Sequence, residues 1–268
     1  MRTSRILAAA LAVALAGPLA AQQADNPMQP SESWDALRPD IAGDAELLDG
    51  AGVFSLDAPY RAHDAALVPV HVVQEGGARI VKLTLVVDEN PAPVVAEFRF
   101  GPAIGRLDLE TRVRVNEYSN IRALAETEDG RVYMTGRFVK ASGGCAAPAM
   151  KDSVAAGNAL GQMRLRAFAP EAPGERGLAQ VMLRHPNYSG LQRNQVTQLY
   201  IPARFVDMLE VRQGEETLFT MTGGISLSED PTFRFAYTDN GAPFITIRAT
   251  DTDGEVFQEA FPSPAFNG

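Results

Sequence analysis

Cys145 is the only cysteine among 268 residues, and it sits in the stretch Lys140-Ala141-Ser142-Gly143-Gly144-Cys145-Ala146-Ala147-Pro148. A thiol reacts as its thiolate, so its pKa and its access decide what it can do. A structural cysteine is ordinarily paired or buried in an apolar strand. Here the flanking residues are small, and Gly143 and Gly144 leave the backbone free. Cys145 is therefore expected to be an exposed, reactive group on a flexible arm formed by Gly143 and Gly144. Lys140 and Lys151 are the cations near enough in sequence to favour the thiolate. No base adjoins the cysteine, and the reading is an attachment point on a carrier, with no catalytic residue and no enzyme activity of the chain's own.

Other constellations carry less. Asp251-Thr252-Asp253-Gly254 opens like a calcium loop, but the twelfth position is Pro262 where a glutamate is required, and a hairpin turn is the better reading. His185-Pro186 has no acidic or cysteine neighbour to orient the ring, and a partly buried loop histidine is expected. Asn187-Tyr188-Ser189 fits a glycosylation acceptor only by accident if the chain is bacterial. The six methionines from Met134 to Met221 are spaced irregularly, as core residues would be. Three histidines and one cysteine are too scattered for a zinc site, and no metal is expected. Neither GxSxG, HExxH, a P-loop nor GxGxxG occurs.

The start of the chain bears on the fate of the thiol. Arg2 and Arg5 precede the apolar run Ile6 to Leu19, which ends at Ala20-Ala21-Gln22. That is the pattern of a signal peptide over residues 1–21, and the run is too short to span a membrane. The mature chain is expected to be soluble and exported to an oxidising compartment. Loss of Arg2 and Arg5 takes the formal charge from −9 to −11. An acidic chain without blocks of like charge has no electrostatic footprint for nucleic acid or an anionic membrane.

The elements that must position Cys145 read as strands. Residues to about Asn26 are polar and loose. Ser31 to Leu48 holds one or two short helices, with Ser31 or Ser33 as cap and Trp34, Leu37 and Ile41 at helical spacing. Strands follow at Val68 to Val73, Ile80 to Val87, Val94 to Phe100, Leu107 to Val115, Ile121 to Thr127 and Val132 to Val139. Asp129-Gly130 supplies the last hairpin turn. Ala141 to Gly177 reads as a connector with a weakly helical middle from Met150 to Arg166. Six more strands lie at Ala179 to Leu183, Phe205 to Arg212, Thr217 to Met221, Thr232 to Tyr237, Phe244 to Thr250 and Val256 to Phe261. The fold class is all-β: two sandwich domains, over 30–140 and 178–262, joined by a partly helical connector over 141–177 that carries Cys145.

Several stretches resemble a known family. Leu67-Val68-Pro69-Val70, Leu85 to Phe98, Arg112-Val113-Arg114-Val115, Tyr118 to Ala123 and Val139 to Cys145 resemble the SoxY subunit of the thiosulfate-oxidising system. His185-Pro186-Asn187-Tyr188-Ser189-Gly190-Leu191, Ile201 to Phe205 and Ser226 to Phe235 resemble its partner SoxZ. The chain looks like a fused SoxYZ-like carrier of the kind associated with quinoprotein dehydrogenases. The resemblance implies two immunoglobulin-like sandwiches packed together within one chain. It also implies that Cys145 carries sulfur intermediates as covalent adducts, with no other cofactor, between periplasmic redox or sulfur-processing enzymes. The family's arm is Gly-Gly-Cys-Gly-Gly at a free carboxyl terminus, whereas here Ala146-Ala147-Pro148 and a second domain follow. Two other readings stand beside it. One is a non-catalytic assembly module for a periplasmic quinoprotein dehydrogenase; the other is a metal chaperone using Cys145 and methionines.

Overall fold

The computed structural model describes residues 26–148, 159–168 and 176–263. The signal-peptide reading therefore falls outside the described residues. No helix among the described residues is long and apolar enough to cross a membrane.

Helix α1 (Glu32–Ala42) begins where expected: the Ser31 hydroxyl accepts from the Trp34 amide at 3.1 Å, satisfying an orphan donor of the first turn. Its buried Trp34 rests on Val86 and Leu124. The predicted second helix is absent, because residues Leu47–Asp49 form β1, a short strand parallel to the end of the first domain.

The first half continues as β2 (Phe54–Asp57), β3 (Val68–Gln74), β4 (Ile80–Val87), β5 (Val94–Phe100), β6 (Asp108–Val113), β7 (Ser119–Thr127) and β8 (Val132–Val139). Alternation of apolar and polar residues is what makes these strands, and β3 shows it directly, with Val68, Val70 and Val72 buried between less buried neighbours. The β7–β8 turn carries Gly130 at φ +80°, as the Asp-Gly signal required.

The second half comprises β9 (Met163–Phe168), β10 (Gly177–Leu183), β11 (Val206–Gln213), β12 (Glu216–Gly223), β13 (Thr232–Tyr237), β14 (Phe244–Asp251) and β15 (Val256–Pro262). Strand β9 corrects the helical reading of Met150 to Arg166 at its carboxyl end. Met-Arg-Leu-Arg-Ala-Phe alternates with period two and pairs antiparallel with β10 over six residues. Residues 149–158 of that stretch lie outside the description. The second half thus begins within the predicted connector, before residue 178. Asp251 to Gly254 forms the β14–β15 hairpin, with the Gly254 amide bonded to the Asp251 carbonyl at 2.9 Å.

The two halves are not merely tethered. One sheet of nine strands runs β1-β8-β7-β4-β5-β12-β11-β14-β15, and one of six runs β2-β3-β6-β13-β10-β9. Both sheets cross the boundary between halves, at β5–β12 (Phe98 opposite Met221) and at β6–β13 (Leu109 opposite Phe235). Edge strands that would expose unpaired amides and carbonyls are thereby paired. A single apolar core fills the space between the sheets across both halves. Its centre is aromatic, with Phe98, Phe219, Phe233 and Phe235 packed at centroid distances of 5.0–6.3 Å.

On the outer face of the large sheet a buried ion pair secures α1. Arg122 Nε reaches the two Asp88 carboxylate oxygens at 2.8 and 3.0 Å, and its guanidinium lies 4.5 Å from the Trp34 ring centre. Asn120 donates a further bond to Asp88 at 2.8 Å. The lone pairs of the buried carboxylate are thus met, which is the condition for tolerating a desolvated charge.

Candidate functional site

Strand β8 ends at Val139, and the Lys140 amide then bonds the Tyr60 carbonyl at 2.7 Å. The next residues turn inward toward the end of β6. Gly143 takes φ +80°, a left-handed conformation that glycine adopts without a Cβ penalty. Its amide donates to Asn116 O at 2.7 Å, the Gly144 amide to Val115 O at 3.0 Å, and Ala146 N–H closes the turn on Gly143 O at 3.2 Å. Gly144 is required for a different reason. A Cβ there would lie 2.1 Å from the Ala65 carbonyl oxygen and 2.7 Å from that of Val115.

The two glycines therefore seat the segment rather than loosen it. This corrects the expectation of a flexible arm with an exposed sulfur: Cys145 is fully buried, at 0% exposure. The expectation failed because glycine permits close backbone approach as readily as it permits motion, and only the neighbours decide which.

Both halves of the chain hold the cysteine. From the first half comes Arg114, immediately after β6, whose Nη1 donates to Gly144 O at 3.0 Å. From the second half, the Ser189 hydroxyl donates to the Cys145 carbonyl. Gln192 Nε2 bonds Ala147 O at 2.8 Å. Ser226 stands beside the Cys145 side chain, where its hydroxyl favours the thiolate. Asn90 organises these parts, donating to Arg114 O at 2.7 Å and to Ser226 Oγ at 2.9 Å while accepting from the Asn116 amide. The Ser226 hydroxyl gives its one proton to Ala92 O at 2.6 Å, so donating to a thiolate requires releasing that carbonyl.

The electrostatics follow from burial. Desolvation pushes the Cys145 thiol above its ordinary pKa, and the Arg114 charge and the Ser226 hydrogen bond recover only part of that. The docked sulfur is a shielded, neutral thiol. Of the predicted cations, Lys140 is turned elsewhere. Lys140 Nζ lies over the rings of Tyr60 and Tyr118, at 4.9 and 6.0 Å, and Lys151 is outside the described residues.

His185 departs from expectation as well. It does have an acidic partner, Asp251, which is 66 residues away in sequence and 3.3 Å from its Nε2. Its Nδ1 lies 2.7 Å from Asn187 Oδ1 and 3.1 Å from the Asn187 amide nitrogen. Burial lowers its pKa against the opposing pull of Asp251 and Asn187. Asp251 is also bound by Arg204 at 2.8 Å. The ring is thus a strut under the Asn187–Ser189 loop. Asn187, at φ +42°, bonds Ser228 O through Nδ2 at 3.0 Å and accepts from Val206 N at 3.1 Å. Among the described residues no group of three or more His, Cys, Asp or Glu side chains is placed to hold a metal ion.

Arg114, Asn90, Ser189 and Ser226 were not singled out as site residues from the sequence. Each lies in a stretch that carries the family resemblance, but the pairings span from 24 to 136 residues, beyond the reach of local pattern.

Comparison with protein-family models finds two matches. Residues 38–145 match SoxY, the sulfur oxidation protein SoxY, and residues 165–262 match SoxZ, the sulphur oxidation protein SoxZ. Cys145 is the last residue of the first match. No curated protein matches. Among solved structures, the sulfur carrier protein SoxY from Chlorobium limicola f thiosulfatophilum is similar at 24% identity and TM-score 0.34, over 40% of this chain and 92% of that one. A β-glycosidase from Bacteroides vulgatus shares 9% identity at TM-score 0.25, over 78% of this chain and 24% of its own. A glycosyl hydrolase family 2 member from Bacteroides cellulosilyticus shares 10% at TM-score 0.21, over 75% and 25%.

Proposed function

This chain belongs to the SoxY and SoxZ sulfur-oxidation proteins, joined in one polypeptide, and we propose that it is a periplasmic carrier holding sulfur intermediates covalently on Cys145. The observation that supports this reading most is the position of the cysteine. It ends the SoxY match and sits buried where residues of both matches, Arg114 and Ser189, take hold of its turn.

A carrier must protect its thiol between encounters and present it at each one. Docked, Cys145 is sheltered from oxidants and from partner chains, and its raised pKa keeps the nucleophilic thiolate scarce. Presentation requires Gly143 to Ala146 to leave the cleft, breaking the short bonds to Asn116, Val115 and Ser189. Among the described residues no general base stands at the sulfur, so bond making and breaking fall to the partner enzymes, which we take to be redox or sulfur-processing proteins. Because Ala147 is followed by the second half rather than by a free end, the released segment is a loop anchored at both sides. Its reach is shorter than that of a tail of equal length.

Intact-mass measurement of the protein isolated from its native source tests this directly. A thiol-releasable mass increment of sulfur on Cys145, lost on Cys145→Ser substitution, is the expected result. An unmodified Cys145 in cells actively using the pathway would remove the carrier reading.

The thiol's pH response is a second expectation. A group whose pKa is raised by folding contributes stability below the unfolded value and loses it as pH rises through the native one. The docked turn should therefore be firmest at neutral pH and loosen in alkali. Iodoacetamide labelling of Cys145 should reach its half-maximal rate at higher pH in the native chain than in urea. Coincident profiles would contradict burial as the controlling influence.

A second reading has its own observation. Val196, Leu199 and Tyr200 stand exposed on the loop that follows Gln192, close in sequence to the residues that hold the turn. An assembly module docking a quinoprotein dehydrogenase would use such a surface and leave Cys145 incidental. Unchanged growth and partner capture by the Cys145→Ser protein would favour it.

A further inference from the structure

We propose that Arg114 is the anion-holding residue of the Cys145 dock, so that the turn is retained more tightly when its sulfur is negatively charged than when it is neutral. The inference rests on the carrier reading above, and it adds the residue by which the resting state tells a charged sulfur from a neutral one.

The argument begins with the burial of the charge. Arg114 is 1% exposed, the largest of the fully buried side chains. Nη1 and Nη2 are spent on neutral carbonyl oxygens, those of Gly144 at 3.0 Å and Asn187 at 3.3 Å, while Nε is buried with no partner among the described residues. A guanidinium taken out of water is stabilised best by a planar anion that uses its donors in pairs. An unmet donor beside two carbonyls leaves part of its desolvation uncompensated. Glu229 and Asp64 act on the charge through space, and so does Cys145, which belongs to the segment that Nη1 already grips.

Packing of the arm is otherwise indifferent to charge, save for Ser226, whose hydroxyl must first release Ala92 O before it can donate to a charged sulfur. Ser189 and Gln192 bind backbone carbonyls of Cys145 and Ala147, and Asn116 and Val115 bind backbone amides, whatever the sulfur carries. Arg114 is the buried cation acting on that sulfur, so discrimination by charge falls to it. A neutral thiol draws little from this cation. An anionic adduct draws on the full charge.

Two chemically installed adducts separate charge from bulk. With the full chain opened in mild urea, the Cys145 thiolate attacks methyl methanethiosulfonate and expels methanesulfinate, leaving a neutral S-methylthio group. Sulfite then attacks Sγ of that disulfide and expels methanethiolate, leaving an anionic S-sulfonate. After removal of urea, hydrogen exchange of the Gly143 and Gly144 amides reports docking. The sulfonate form should exchange at least about tenfold more slowly than the methylthio form. Arg114→Met should abolish the difference, and Arg114→Lys, which keeps the charge, should restore most of it if the methionine protein folds poorly. Equal exchange of the two adducts in the parent chain, or a difference that survives in Arg114→Met, would overturn the assignment. Native protein without any sulfur adduct would instead sink the carrier reading and leave the measured charge preference standing.

Discussion

Gly144→Val is expected to unseat Cys145 and raise its alkylation rate at neutral pH by roughly 10- to 100-fold, with the rest of the fold retained. A Cβ at residue 144 would fall 2.1 Å from Ala65 O and 2.7 Å from Val115 O, and both are backbone atoms that cannot swing aside. The turn itself must move. Movement breaks the Gly144–Val115 and Arg114–Gly144 hydrogen bonds and returns the sulfur to water. Desolvation is the first cause of the raised thiol pKa, so exposure restores both access and thiolate fraction. Gly143→Ala is the informative control. Its Cβ would meet nothing within 4 Å, and only the left-handed φ of +80° opposes it, at roughly 1–2 kcal/mol. It should shift labelling far less. An unaltered rate in Gly144→Val would mean that the turn tolerates the clash and that docking does not govern the thiol.

Phe219→Ala should cost about 3–5 kcal/mol and lower the urea midpoint of both halves together. The ring is fully buried between Phe98 of the first half and Phe233 and Phe235 of the second. Its strand is hydrogen-bonded across the seam, with Phe219 opposite Phe100. Because both sheets and the core continue through that seam, fluorescence and far-ultraviolet dichroism should report one transition before and after substitution. A loss of this size is a large fraction of the 5–15 kcal/mol typical of a whole domain. Two separable transitions, with the first half unaffected, would show that the halves fold independently despite their shared sheets.

Shared sheets also bear on how the carrier is built. In separate chains, association would have to hold the seam that presents Ser189 and Ser226 to the cysteine. Within one chain that association is intramolecular, and the dock survives dilution. Both halves contribute to one recess, so loosening either is expected to alter the thiol.

Much of the fold was legible from local pattern. The β4, β5, β8 and β13 runs were bounded by sequence to the residue, because alternation and Gly, Pro or Asp-Gly turns act within a few positions. Strand β9 was misread because it is short, lies in a small-residue context and carries two arginines on its open face. Strands β1 and β2 were passed over because three or four residues hold too little period to be seen. The sheet continuity across the halves left no mark in either half's sequence, since an edge strand that pairs and one that faces solvent share the same alternation.

The candidate site divides along the same line. By its composition and order the chain determined that one cysteine, preceded by two glycines, would follow a β-sandwich and precede another. It also determined which stretches resemble SoxY and SoxZ. The tertiary structure alone decided that the glycines bring the backbone into contact, that Cys145 is buried, and that Arg114 rather than Lys140 supplies a cation to it. The reason is that burial and charge at a point are sums over everything packed around it. Here those neighbours come from residues 65, 90, 114, 189 and 226, which only folding brings together.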